Sequence, residues 1–85
     1  MSTYQVAWKA SAAKQLRKLD PQVQRGVLIV VAALAHNPRP PGVKKLVNRP
    51  GWRVRWRGWR VIYAIHDDTI TVEVLEVGPR GSIYD

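Results

Sequence analysis

The sequence predicts an α+β fold of order β-α-α-β-β-β, with two N-terminal helices packed on one face of a small antiparallel sheet. Three observations carry this. Apolar residues recur at helical spacing from Ala12 to Leu34, strict period-two alternation runs from Trp52 to Val77, and a short alternating stretch precedes the first helical pattern. At 85 residues the chain reads as one domain, 1–85, without internal repeat or linker.

Tyr4, Val6 and Trp8 alternate with Gln5, Ala7 and Lys9, which marks a strand with one buried face. Ser11 is expected to cap a first helix whose apolar positions are Ala12, Leu16 and Leu19. Asp20 followed by Pro21 reads as a fresh N-cap with proline at the first helical position, where its missing N–H costs nothing. The run Val27 to Val31 is β-branched and suits a buried strand, but Val23, Val27, Val30 or Val31, and Leu34 keep helical spacing up to the stop at Asn37-Pro38. Pro38 to Gly42 is a stiff loop, and Pro50-Gly51 is a second break.

The C-terminal half reads as three strands joined by tight turns, hence antiparallel neighbours. In the first, Trp52, Val54 and Trp56 alternate with Arg53, Arg55 and Arg57, and Gly58 ends it. The second runs from Trp59 to His66 and ends at the Asp67-Asp68 turn. The third is expected over Thr69 to Val77, with Ile70, Val72 and Val74 on one face and Thr71, Glu73, Leu75 and Val77 on the other. If the tryptophans face the helices, Arg53 and Arg55 stand on the open face, and Arg60 joins them if Trp59 points the same way.

Charge is the first functional signal: 14 Lys and Arg against 6 Asp and Glu give a net charge of +8, which points to a polyanionic partner. No acidic residue falls between Asp20 and Asp67, an interval that holds Arg53, Arg55, Arg57 and Arg60 as well as Lys44, Lys45 and Arg49. With no cysteine, disulfide scaffolds, thiolate nucleophiles and cysteine-ligated zinc are excluded. No apolar run approaches the roughly 20 residues of a membrane span, and no stretch reads as a signal peptide, so a cytoplasmic location is expected. Phosphate loops, dinucleotide fingerprints and nucleophile elbows are missing too. His36 falls where a helix should end, and His66 precedes a turn beside Asp67; both suit structural roles better than acid-base chemistry. The remaining chemistry is guanidinium alternating with indole. Arginine's planar fork matches phosphate, and indole can stack on unpaired bases, although the tryptophans equally suit the core.

The run Trp52-Arg-Val-Arg-Trp-Arg-Gly-Trp-Arg-Val-Ile-Tyr-Ala-Ile65, followed by Val72-Glu-Val-Leu-Glu-Val-Gly-Pro-Arg80 and Tyr84, resembles the RelE/ParE superfamily of type II toxin–antitoxin toxins, its RelE branch more closely. The resemblance covers nearly the whole chain. It implies a ribosome-dependent endoribonuclease that cuts mRNA in the A site, without metal or small-molecule cofactor, and is restrained by a RelB-like antitoxin. Its partners would be that antitoxin, mRNA and ribosomal RNA.

By the same resemblance Arg60 would hold the scissile phosphate, Arg80 would act on the leaving group or transition-state charge, and Tyr84 would activate the attacking 2′-hydroxyl. Arg53 and Arg55 match two further basic positions. Trp59 stands where the family usually has tyrosine, Arg57-Gly58 replaces its usual turn, and Tyr84 lies beside the carboxylates of Asp85. Lys44, Lys45, Arg49 and Arg57 are the expected RNA-binding cations. Two alternatives share the fold: a ParE-like toxin that binds DNA gyrase, and a relative that binds RNA without cutting it.

Overall fold

A computed structural model describes residues 3–79; the expected roles of Arg80 and Tyr84 concern positions outside them. The elements are β1 (Gln5–Trp8), α1 (Ala10–Arg17), α2 (Pro21–His36), β2 (Lys44–Lys45), β3 (Trp52–Trp56), β4 (Trp59–His66) and β5 (Thr71–Pro79). They form one five-stranded sheet of order β1-β5-β4-β3-β2, with the helices against one face.

The α+β class and the packing of both helices on one face stand as expected, whereas the sheet is mixed rather than wholly antiparallel. The β2-β3, β3-β4 and β4-β5 pairs are antiparallel, but β1 pairs with β5 in parallel, Gln5 opposite Thr71 and Trp8 opposite Val74. A parallel neighbour needs a crossover, and here α1, α2 and the β2-β3-β4 ladder provide it. β1 ends opposite Val74, and from there α1 covers the edge of β5. Lys9 N donates to Val74 O at 2.9 Å, and the Gln15 side chain accepts from Val77 N at 2.8 Å. That bond fixes where the helix begins. Lys9, not Ser11, is therefore the N-cap of α1, and no side chain caps it.

Helix α2 starts as its sequence indicates: the Asp20 carboxylate accepts from Gln22 N at 2.9 Å, with Pro21 in the first turn. Its buried face is Gly26, Val27, Val31, Leu34 and Ala35. One core cluster joins Ala12, Val27, Val31, Val61, Val74 and Val77, and half-buried Trp8, Leu16, Leu19, Val23, Val54 and Trp56 pack against it. A second joins Leu34, Tyr63 and Val72, flanked by Tyr4, Trp52, Val54 and Ile65.

Val77 belongs to the core beside Val72 and Val74, which corrects the expected alternation of β5. A β-bulge lies between Ile62 and Tyr63: Ile62 faces Glu76, whereas Tyr63 faces Val74, so Leu75 is the additional residue on β5. One extra residue reverses the parity of everything beyond it. The strand also begins at Thr71 rather than Thr69, because Asp67 to Ile70 form the turn, with Ile70 in a left-handed conformation at φ 49°.

Tyr63 is fully buried, and its hydroxyl donates to Pro38 O at 2.8 Å, tying the proline loop to the sheet centre. The segment after β2 folds back: Leu46 N donates to Gly51 O at 3.0 Å, and Leu46 is buried. Gly51 has φ 120°, and a Cβ there would sit 3.2 Å from Tyr63 O, so the turn needs glycine twice over.

Candidate functional site

Residues directly opposite each other in a ladder share a face of the sheet. Trp52 opposes Tyr63 and Val54 opposes Val61, both pairs on the helix side; Arg53 opposes Ile62 and Arg55 opposes Arg60, which puts all three arginines on the other face. Arg53 also faces Lys44 on β2, and Arg60 faces Gly78 on β5. Two neighbouring rungs therefore run Lys44-Arg53-Ile62-Glu76 and Arg55-Arg60-Gly78. Like charges directly across a ladder repel, and the Lys44-Arg53 and Arg55-Arg60 pairs concentrate positive charge on this face.

The arginines of this ridge are not equally exposed. Arg60 is only 2% exposed and Arg53 7%, while Arg55 is exposed. A buried guanidinium beside Gly78 is held by the sheet rather than swinging from it, which is the condition for electrostatic stabilisation without reorganisation. Arg49, on the turn after β2, reaches Glu76 at 3.3 Å, an ion pair between half-exposed groups at the rim of the ridge.

The expected RNA-binding cations separate. Lys44 lies on the ridge beside Arg53 and Arg49 at its rim, but Lys45 opposes Trp52 and is on the helix side. Arg57 leaves the ridge altogether. It occupies the β3-β4 turn with φ 55°, and its guanidinium lies over the Trp56 ring, 5.3 Å from the centroid. Alternation from Arg53 and Arg55 would have put it on their face, and the left-handed turn residue breaks that parity. The neighbouring Gly58 does not take the positive φ. Such a conformation costs a non-glycine residue about 1–2 kcal/mol, and a cation–π contact at an exposed site returns only about 0.5–1 kcal/mol.

Arg57, Trp56, Trp59, Gln22 and Val23 line a cleft of about 340 Å³ at the hairpin tip, on the helix side. Trp56 forms its floor: its indole lies so close to Gly26 on α2 that any side chain there would overlap the ring. Trp59 is half-buried and is not among the described residues that pack against either core cluster.

A third polar cluster stands at the far end of the sheet. Asp67 accepts from Tyr4 OH at 2.6 Å and from Arg39 at 2.9 Å, and Arg39 lies over Trp52 at 5.6 Å. The Arg39 guanidinium and then the Tyr4 hydroxyl hold the Asp67 carboxyl below its ordinary range, and hydrogen bonding to Asp67 raises Tyr4. Nearby, His66 Nε2 meets Glu73 at 3.0 Å. Both histidine and carboxylate are exposed, and they lie at the opposite end of the sheet from Arg55 and Arg60. Among the described residues no three of His, Asp and Glu gather as a metal-binding group, and no helix is long and apolar enough to cross a membrane.

The fold is shared with known proteins. Residues 6–84 match the family model described as the ParE toxin of type II toxin–antitoxin systems. The chain belongs to this family. An Escherichia coli protein named as a RelE-like toxin is 28% identical over 79 residues, covering 91% of this chain and 83% of the relative. Among solved structures, the toxin–antitoxin complex RelBE of Mycobacterium tuberculosis superposes with a TM-score of 0.83 at 27% identity, covering 96% of this chain and 97% of that one. The archaeal RelE–RelB complex of Pyrococcus horikoshii gives 0.80 at 28% identity, covering 95% and 99%. The isolated Escherichia coli RelE toxin gives 0.81 at 25% identity, covering 94% and 87%. The protein is thus a toxin of a type II toxin–antitoxin system, of RelE/ParE type.

Proposed function

We propose that this toxin is a ribosome-dependent endoribonuclease that cleaves mRNA in the A site through attack of a 2′-hydroxyl on the adjacent phosphate. The observation that carries the reading is the pair of cationic rungs, with Arg60 fixed and buried opposite Arg55. As the 2′-oxygen adds to phosphorus, negative charge grows on the equatorial oxygens, and guanidiniums held in place stabilise that charge more than the ground state. Arginine stays protonated at neutral pH, so Arg53, Arg55 and Arg60 serve as clamps rather than bases. In this reading Tyr84 takes the 2′-hydroxyl proton, the P–O5′ bond breaks to leave a 2′,3′-cyclic phosphate, and the departing 5′-oxygen, its charge offset by Arg80, takes a proton from water. The ridge lies on the sheet face away from the helices, with Arg53 and Arg60 buried in it and Arg55 exposed, and alignment of the scissile bond is left to the ribosome. No metal or small-molecule cofactor enters the reaction, and the protein acts in the cytoplasm.

A RelB-like antitoxin is the proposed protein partner, since relatives of this fold were solved in complex with RelB. Primer extension on a defined mRNA, with and without ribosomes, tests the reading. Ribosome-dependent cuts inside A-site codons, lost in Arg60→Ala and Arg80→Ala, are expected; intact mRNA in every lane overturns it. The match to the ParE family model favours a second reading, inhibition of DNA gyrase, which predicts replication arrest with mRNA left whole.

A further inference from the structure

From the geometry of the hairpin tip we infer a second nucleic-acid contact, a cleft that takes one unstacked nucleobase between Trp59 and Arg57. It deepens the RNA reading above and rests on it. The ligand class follows from the lining. Trp56, Trp59, Arg57, Gln22 and Val23 line a half-open cleft of about 340 Å³, room for a base with its sugar. The lining offers a flat π-surface, a cation that stacks, and one amide able to meet a base edge.

A phosphate is the wrong occupant. The N-terminus of α2 reaches the cleft at Gln22, but the Asp20 carboxylate already accepts from Gln22 N at 2.9 Å, so the helix end is satisfied and carries an anion of its own. An uncharged aromatic ring meets no such repulsion. An acidic peptide is disfavoured for the same reason.

Position supports the assignment as well. Trp56 and Trp59 are the rung next to Arg55 and Arg60 in the same hairpin, with the indoles on the helix side and the guanidiniums on the open side. A single strand whose phosphates lie along the ridge can turn over the hairpin tip and drop its next base into the cleft. The left-handed backbone at Arg57, only partly offset by its contact with Trp56, fits a side chain kept there for a ligand.

The test uses the full-length toxin with an uncleavable 2′-O-methyl oligoadenylate and the same oligonucleotide with abasic residues, read by fluorescence anisotropy and by the NMR signals of the indole N–H groups. Removing the bases is expected to weaken binding to the wild type about tenfold, the worth of a single stacked base. Trp59→Ala should erase that difference while keeping salt-sensitive binding. Arg57→Gly, which suits the left-handed backbone and so spares the hairpin, should reduce it. The Trp56 and Trp59 signals should shift with the base-bearing strand alone. Equal binding of both oligonucleotides to the wild type overturns the cleft and leaves the ridge intact, whereas absence of binding by either overturns both. Indole shifts produced by an antitoxin peptide and not by RNA would mark the cleft as a protein interface and overturn the proposal.

Discussion

At the scale of single residues, burial decides which charges and hydroxyls matter. Desolvation pushes the Tyr63 hydroxyl up to about 12, from an ordinary value of 10.0. The folded state then holds this proton more tightly than the unfolded chain, so its contribution to stability is complete below pH 10 and is lost as pH rises toward 12. Chemical denaturation of wild type against Tyr63→Phe should show it. At neutral pH the variant loses about 1 kcal/mol with the bond to Pro38, and above pH 10 the wild type falls toward it, by up to about 1.4 kcal/mol per pH unit. Asp67 has the opposite sign: its support is present above the ordinary carboxylate range and fades as pH falls through its lowered value. Arg39→Ala should move the Asp67 carboxyl back up in an NMR titration. At Arg60, a lysine keeps the charge but loses the two-pronged fork, so Arg60→Lys should cut ribosomal cleavage on the order of 10² to 10³.

Elements add constraints that no single side chain carries. Gly26 lies in the middle of α2, where alanine would gain about 1 kcal/mol in helix propensity, yet a methyl group there meets the rigid indole of Trp56. Overpacking costs typically about 1–3 kcal/mol, so Gly26→Ala should lower the thermal midpoint, and pairing it with Trp56→Leu should recover part of the loss. The same scale explains what was legible in the sequence. Both helices and the three C-terminal strands were, because helical spacing, the Asp20-Pro21 start of α2 and strand alternation are local signals, while the cap expected of Ser11 was not met. The placement of Arg53, Arg55 and Arg60 on one face, away from the helices, followed from the same alternation, but the burial of Arg53 and Arg60 there did not. Three features escaped. β2 is two lysines with no alternation to read; the bulge at Leu75 is one extra residue that flips Val77 into the core; and the parallel pairing of β1 joins segments at opposite ends of the chain. Arg57 was misplaced for a related reason, since one left-handed residue ends the period-two rule.

For the whole molecule the governing quantity is charge. A net +8 on 85 residues, with Lys44, Arg53, Arg55 and Arg60 gathered on two rungs, makes the proposed binding of single-stranded RNA a matter of released counterions. If each of these cations meets a phosphate, log K should fall with log salt at a slope of about −3, or roughly 50-fold between 50 and 200 mM. Titration by anisotropy across that range checks it, and a flat response would remove the ridge as the binding surface.

The position of β5 in the sheet has a consequence for how the toxin comes into being. This strand lies between β1 and β4, so among the described strands the last in chain order is an interior one, and β1 pairs with it alone. While the C-terminal segment is still inside the exit tunnel, only the β2-β3-β4 ladder can assemble, without the Gly78 strand beside Arg60 or the Val74 and Val77 part of the core. Joining Gln5 to Thr71 closes almost the full length of the chain, which makes folding slow relative to a helical protein of this size. The basic ridge and the core are therefore completed in the same late step, when β5 takes its place between β1 and β4.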